Sequence, residues 1–356
     1  MKYPEVLSIE QVLSQLDSFD AIIDARSPCE FALDHLPGAI NAPVLDDEQR
    51  IRVGTMYKQV GSFEAKKLGA ALVARNIAKH IEELWIDQPR EWRPLIYCWR
   101  GGNRSGSMAH ILAKIGWPVV QLDGGYKAFR QEVNAALEHA PELNFKVVCG
   151  TTGSGKSRLL EVLAAQGAQV LDLEQLAAHR GSVLGHLPSQ QQPSQKAFET
   201  RIWDVLRRYD PARPVFVEAE SKKVGNLRVP AALMETMRAS DCIALTLSRE
   251  DRVRLLMEDY QHFLDSPQTL NAQLEHLTQL HGKEMIAHWQ AMSQAGEMPA
   301  LVDELLAQHY DPAYLRSIDR NFIKYAQARP LELRGIDDEA FAAAAQCLLS
   351  PQNERV

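Results

Sequence analysis

Short apolar runs alternating with helical stretches, and two places where such a run passes through a glycine-rich loop into a helix, predict an α/β protein with parallel sheets. Strand-like runs fall at 21–24, 95–97 and 119–122, and again at 145–149, 170–172, 215–218 and 242–247. Helical patterns lie between them at 64–83, 105–115 and 126–139, and then at 158–165. A chain of 356 residues is too long for one ordinary domain and suits two. The helix over 126–139 ends at Pro141, so domains are expected over 1–140 and 141–356. From about residue 248 the pattern is mostly helical, broken at Pro267, Pro299, Pro312 and Pro330.

Composition narrows the function classes. Hydrophobic residues make up 46% and charged residues 24%, as in a globular protein and unlike a disordered one. The net charge of −7 excludes a histone-like nucleic-acid binder but leaves room for a local basic patch. The longest strictly apolar run, 340–345, is far shorter than a bilayer span, and Glu5 and Glu10 stand where an export signal needs an apolar core. The five cysteines are scattered without C-x-x-C spacing, which fits a reducing cytoplasm better than a disulfide framework or a zinc site.

The second glycine-rich junction is the more specific. Gly150, Thr151, Thr152, Gly153, Ser154, Gly155, Lys156 and Ser157 match G-x-x-x-x-G-K-[ST] in full, after a strand and before a helix. In such a loop the backbone N–H groups and the helix N-terminus face phosphate oxygens, the lysine adds a full charge, and the serine hydroxyl can hold Mg²⁺. Glu218 and Asp172, each at a strand end, are the candidate Mg²⁺-associated carboxylates. The loop itself does not say which phosphate compound binds.

The first junction places Cys98 at a strand end, followed by Trp99, Arg100, Gly101, Gly102, Asn103 and Arg104. Loop amides, a helix N-terminus and Arg100 or Arg104 all favour a nucleophilic sulfur there, and the glycines let the backbone curl into an anion-holding cup. The other cysteines lack such a setting.

The run Asp24-Ala-Arg-Ser-Pro-Cys-Glu-Phe, the run His35-Leu-Pro-Gly-Ala-Ile-Asn41-Ala-Pro43, the Cys98 loop and Asp123-Gly-Gly-Tyr126 together resemble a rhodanese domain over about 8–138. With the phosphate-binding loop, Asp172-Leu-Glu, His179-Arg-Gly-Ser182 and Glu218-Ala-Glu-Ser-Lys-Lys-Val-Gly225, the chain is similar to the tRNA 2-selenouridine synthase family over nearly its whole length. The resemblance implies a rhodanese-like α/β domain, a P-loop NTPase-like α/β domain and a helical C-terminal region. It implies exchange of the sulfur of wobble 2-thiouridine in tRNA for selenium from selenophosphate, through an S-geranyl intermediate made from geranyl diphosphate. It puts the family's catalytic, selenium-carrying cysteine at Cys98 and implies no tightly bound cofactor. Arg100, Gly101, Gly102 and Arg104 would hold selenophosphate, and the P-loop would hold the prenyl diphosphate.

One departure stands out. Cys98 to Arg104 is a seven-residue loop, whereas sulfur-transferring rhodaneses usually have six, and seven resembles the rhodanese-like phosphatases. A phosphatase with a regulatory nucleotide-binding domain, or a nucleotide-switched binding module, are the rival readings. For tRNA, two basic regions are candidates: Arg207, Arg208, Lys222 and Lys223 within a stretch rich in basic residues, and Arg316, Arg320 and Lys324, spaced with Arg329 to share part of a helical face near Tyr314, Phe322 and Tyr325. Neither His35 nor His179 is expected to act as a general base: backbone hydrogen bonding accounts for His35 in its turn, and His179, before Arg180-Gly-Ser, is placed to face the substrate or the phosphate.

Overall fold

The computed structural model describes residues 3–181, 191–259 and 267–350. They form two compact units: one of residues 1–136 with 194–203, and one of 137–193 with 204–356.

The first unit is built on a five-stranded parallel sheet. Its strands are β1 (Glu5–Leu7), β2 (Ala21–Asp24), β3 (Ala39–Asn41), β4 (Pro94–Tyr97) and β5 (Val120–Leu122), in the order β1-β5-β4-β2-β3. All four residues of β4 are buried, as expected for a central strand covered on both faces. The strands β1 and β3 are three residues each, too short to carry a readable alternation, and were absent from the sequence expectation. A hairpin of helices Asp47–Gln59 and Ser62–His80 lies in the chain between β3 and β4. Only its second helix was expected.

The second unit repeats the architecture with β6 (Asn144–Cys149), β7 (Gln169–Leu171), β8 (Pro214–Glu218), β11 (Asp241–Thr246) and β12 (Arg329–Glu332), all parallel in the order β12-β11-β6-β8-β7. A small antiparallel pair, β9 (Lys223–Val224) and β10 (Leu227–Arg228), stands apart. Val148, Leu160, Phe216, Leu245 and Phe341 share one core cluster, and Leu274, Trp289 and Leu301 share a second among the later helices. Each such fully buried side chain contributes roughly 1.5–3 kcal/mol.

Two expectations need correction. The region beyond 248 contains β12, which includes Pro330 where a helix break was expected; an edge strand tolerates a proline that a central one would not. The helix Asp311–Asn321 stops before Lys324, which precedes a 3₁₀ turn at Tyr325–Gln327, and Arg329 begins β12. Lys324 and Arg329 therefore do not continue a helical face from Arg316 and Arg320.

Residues 194–203, from the half of the sequence assigned to the second domain, pack with the first unit. Trp203 meets Phe129 edge-on at 5.4 Å, and the Thr200 hydroxyl lies 3.0 Å from the buried carboxylate of Asp34. Asp34 also accepts from the Tyr126 hydroxyl at 2.8 Å. Desolvation then makes each bond costly to lose.

Candidate active sites

In both units the candidate site lies at the carboxyl end of a strand inside the sheet, where open parallel sheets leave a crevice for ligands. In the first, β4 delivers Cys98, and the helix Asn103–Ile115 starts five residues later. The loop is closed by backbone bonds from Tyr126 N–H to Cys98 O (2.8 Å) and from Lys127 N–H to Trp99 O (3.0 Å). Gly101 has φ +66°, and a Cβ there would sit 2.6 Å from Leu122 O, so both backbone and space demand glycine.

Cys98 is buried at the base of this cup. The Ser105 hydroxyl lies 3.2 Å from its sulfur and 3.3 Å from Gly102 O. Gln121 Nε2 donates to Gly101 O at 2.5 Å and to Ser105 Oγ at 3.2 Å, which leaves the serine proton for the sulfur or the loop carbonyl. Arg100 is exposed, while Arg104 donates to Glu30 at 2.7 Å. Burial opposes ionisation of Glu30, but Arg104 outweighs it and holds the carboxyl below its ordinary value. Deeper in the unit, Arg26 makes a buried pair with Asp24 (2.6 Å) and stacks its guanidinium 4.0 Å from the Tyr126 ring. That pair anchors the turn after β2 whose helix, Pro28–Leu33, carries Glu30.

In the second unit, the P-loop follows β6 and opens the helix Lys156–Ala165. Gly155 caps that helix at φ +85°, and a Cβ there would press within 2.8 Å of the Phe341 ring. Arg252, nearly buried, clamps the loop: its guanidinium donates to Thr152 O at 2.9 and 2.7 Å and to Asp311 at 3.0 and 2.6 Å. Gly150 N–H donates to the Tyr314 hydroxyl at 2.6 Å, and Lys156 Nζ donates to Gly150 O at 2.7 Å.

Three carboxyl groups, Glu174, Glu220 and Glu218, act on this lysine. Ser157 donates to Glu174 at 3.1 Å; Glu218 accepts from Glu174 N–H at 2.9 Å, and its second oxygen is buried without a partner. Burial, then Asp172, Glu174 and Glu220, push Glu218 well above the carboxylate range. Burial, then Glu174, push Glu220 up to about 8. Burial lowers Lys156 against the opposing pull of the same acids. Asp172 caps the helix Leu173–Ala177 by accepting from Gln175 N–H at 2.7 Å. Among the described residues, no group of three or more His, Cys, Asp or Glu is arranged to hold a metal ion.

The P-loop forms the floor of a cavity of about 620 Å³. Its lining includes Lys156, Ser157, Glu174 and Glu220, the apolar Leu255, Leu256, Ala313, Ile318 and Phe322 with Tyr314, and the charged or polar Arg158, Glu161, His179, Arg180 and Asp259.

These two constellations agree with what the chain is similar to. Residues 8–132 match the rhodanese-like domain family, and residues 143–287 match the family described as the tRNA 2-selenouridine synthase AAA domain. A tRNA 2-selenouridine synthase of Nitrosomonas europaea is 36% identical over 265 residues, 73% of this chain and 68% of the relative. One from Shewanella halifaxensis is 31% identical over 84% of this chain and 89% of its own. The chain belongs to the tRNA 2-selenouridine synthase family. A further member, from Alcanivorax borkumensis, is 33% identical over 92% of this chain and 82% of its own.

For a tRNA 2-selenouridine synthase family member, the basic candidates are placed unevenly. Arg207 and Arg208 both pair with Asp204, at 2.7 and 2.9 Å, and Lys324 pairs with Asp241 at 2.8 Å. Lys222, Lys223, Arg316 and Arg320 are exposed. Tyr314, considered with a tRNA face, stands in the P-loop cavity instead, and Phe322 is buried. His35 bonds Phe31 O at 2.9 Å, a backbone role. His179 lines the P-loop cavity, and Ser182 lies outside the described residues. No helix among the described residues is long and apolar enough to cross a membrane.

Ser105, Gln121, Glu30, Arg252, Glu174 and Glu220 escaped the sequence reading. Glu220 and Glu174 stood two residues from Glu218 and Asp172 in runs already noticed, Glu30 stood in the run that begins at Asp24, and Ser105 directly follows the Cys98 loop. Gln121 and Arg252 reach their sites from other parts of the chain, where nothing local marks them.

Proposed function

We propose that this protein replaces the sulfur of wobble 2-thiouridine in tRNA with selenium in two steps, one at each cup. In the first step the thiocarbonyl sulfur attacks C1 of geranyl diphosphate, and diphosphate leaves. In the second, selenium from selenophosphate adds at C2 of the base and geranylthiol leaves; water then releases phosphate. Geranylation turns a poor leaving group into a better one.

The observation that carries this reading is the composition of the P-loop cavity. A phosphate-binding floor shares its cavity with Leu255, Leu256, Ile318 and Phe322, which offer apolar surface to the tail of an amphiphile with a diphosphate head, beside the charged and polar lining of Arg158, Glu161, His179, Arg180 and Asp259. Glu220, protonated below about pH 8, adds a hydrogen-bond donor to this floor in place of a repelling charge. Mg²⁺ is usually held by one or two protein oxygens together with substrate phosphates; were it to enter with the diphosphate, the Ser157 hydroxyl and the Glu174 carboxylate it bonds would hold it, beside the unpartnered oxygen of Glu218. In the first unit, Cys98 serves the selenium step, with Arg100, Gly101, Gly102 and Arg104 around the selenophosphate anion. The exposed ring of Trp99, 5.4 Å from Tyr126, offers a flat surface to an extruded base.

The test is nucleoside mass analysis of thiolated tRNA after geranyl diphosphate and then selenophosphate. Lys156→Ala should lose S-geranyl product yet still selenate tRNA that is already geranylated, whereas Cys98→Ala should stop at the S-geranyl stage. Equal loss of both steps in Lys156→Ala would sink the division of labour. Absence of both products with the unaltered protein would overturn the function itself.

A further inference from the structure

The helical hairpin of the first unit is unusual in what it leaves outside. The helix Asp47–Gln59 buries none of its thirteen residues. Ile51, Tyr57, Val60 and Phe63 are exposed, the last by 69%. Helices in globular proteins normally hide an apolar stripe. This one is held instead by a reciprocal cap between Asp46 and Gln49, and Asn76 ties it to its neighbour by donating to Gln49 Oε1 at 2.7 Å and to Val44 O at 2.9 Å.

Its charge is equally distinctive. Residues 47–80 carry seven lysines and arginines against three acids, a surplus of four positive charges in a chain whose net charge is −7. Arg52, Lys58, Lys66 and Arg75 are exposed, and among the described residues they have no ion-pair partner. Unpaired cations interleaved with exposed aromatic rings are what a polyanion with stackable bases recognises. The basic residues Arg207, Arg208 and Lys324, by contrast, are already neutralised by Asp204 and Asp241.

The hairpin is also joined to the cysteine cup. Glu30 pairs with Arg50 of the first hairpin helix at 3.2 Å and with Arg104 of the Cys98 loop at 2.7 Å. One carboxylate thus links the root of the hairpin to the rim of the cup, within a single unit.

We propose that the hairpin over 47–80 is the tRNA-docking surface, with Arg52, Lys58 and Lys66 on phosphates and Tyr57 and Phe63 against bases or sugars. This rests on the tRNA reading given above. The experiment is fluorescence anisotropy of the full chain with a tRNA bearing wobble 2-thiouridine, across a series of salt concentrations. The triple variant Arg52→Glu, Lys58→Glu, Lys66→Glu should bind at least tenfold more weakly at low salt. Its slope of log affinity against log salt should flatten by about 2 to 3, one phosphate contact per residue. Ultraviolet cross-linking of the unaltered protein to the same tRNA should yield adducts within 47–80, which decides the matter even where the variant folds poorly. Unchanged affinity and slope without such adducts would overturn the placement. So would unchanged tRNA binding in a variant that has lost self-association, which would make the hairpin a protein-docking surface. Failure of the unaltered protein to bind any tRNA would instead take down the tRNA reading along with it.

Discussion

Ser105 Oγ lies 3.2 Å from Cys98 Sγ, while Gln121 Nε2 approaches the same hydroxyl from another side at 3.2 Å. The serine therefore accepts from the amide and has its own proton free for the sulfur or for Gly102 O. A thiolate carries its negative charge before it attacks and loses it as the new bond forms, so a donor at the sulfur acts by stabilising the nucleophilic form that precedes attack, in a buried site where such a bond is stronger than in water. Ser105→Ala should slow alkylation of Cys98 by iodoacetamide about tenfold, read by mass spectrometry of the Cys98 peptide. Ser105→Thr should restore part of the rate. An unchanged rate in the alanine variant would assign the hydroxyl to Gly102 O alone.

The carboxyl cluster around Lys156 makes stability depend on pH. Glu220 is pushed from an ordinary 4.5 up to about 8 by burial and by Glu174. The folded state thus holds this proton more tightly than the unfolded chain does. Its contribution to stability is whole below pH 4.5 and is lost progressively as pH rises to about 8, on the order of a few kcal/mol in total. Glu220→Gln keeps a neutral group at all pH values. Its melting temperature, measured from pH 5 to 9, should gain on that of the unaltered protein as pH rises and level off above about 8. Parallel curves would show that the proton is not held there.

Trp203 comes from residues 194–203 yet packs against Phe129 of the first unit, where both are buried. Trp203→Ala should cost about 3–5 kcal/mol of stability, as large aromatic truncations in a core do. The loss should appear in denaturant unfolding followed by protection of first-unit amides from hydrogen exchange. A loss confined to amides of the second unit would contradict the assignment of this segment.

Much of the fold was legible because its signals are local. A buried parallel strand reads as an apolar run, and the two anion cups announce themselves by glycines between a strand and a helix. The P-loop and Cys98 needed nothing beyond a few consecutive residues. Strands of three residues such as β1 and β3 gave no readable period, and β12 was hidden by Pro330, which only an edge position permits.

The amino-acid sequence by itself determined the two α/β units, the cysteine and the phosphate-binding loop, since each depends on backbone preferences within one short segment. The tertiary structure decided what surrounds them. Arg252 is a hundred residues from the Thr152 carbonyl it clamps, and Glu30 is seventy-four from Arg104. Arg207 and Arg208 pair locally with Asp204, whereas only the packed chain brings Asp241 to Lys324 and leaves Arg52, Lys58, Lys66 and Arg75 without an ion-pair partner among the described residues. Such pairings are set by how distant segments pack, and desolvation in the packed state gives them their energy, so no stretch of sequence carries them alone.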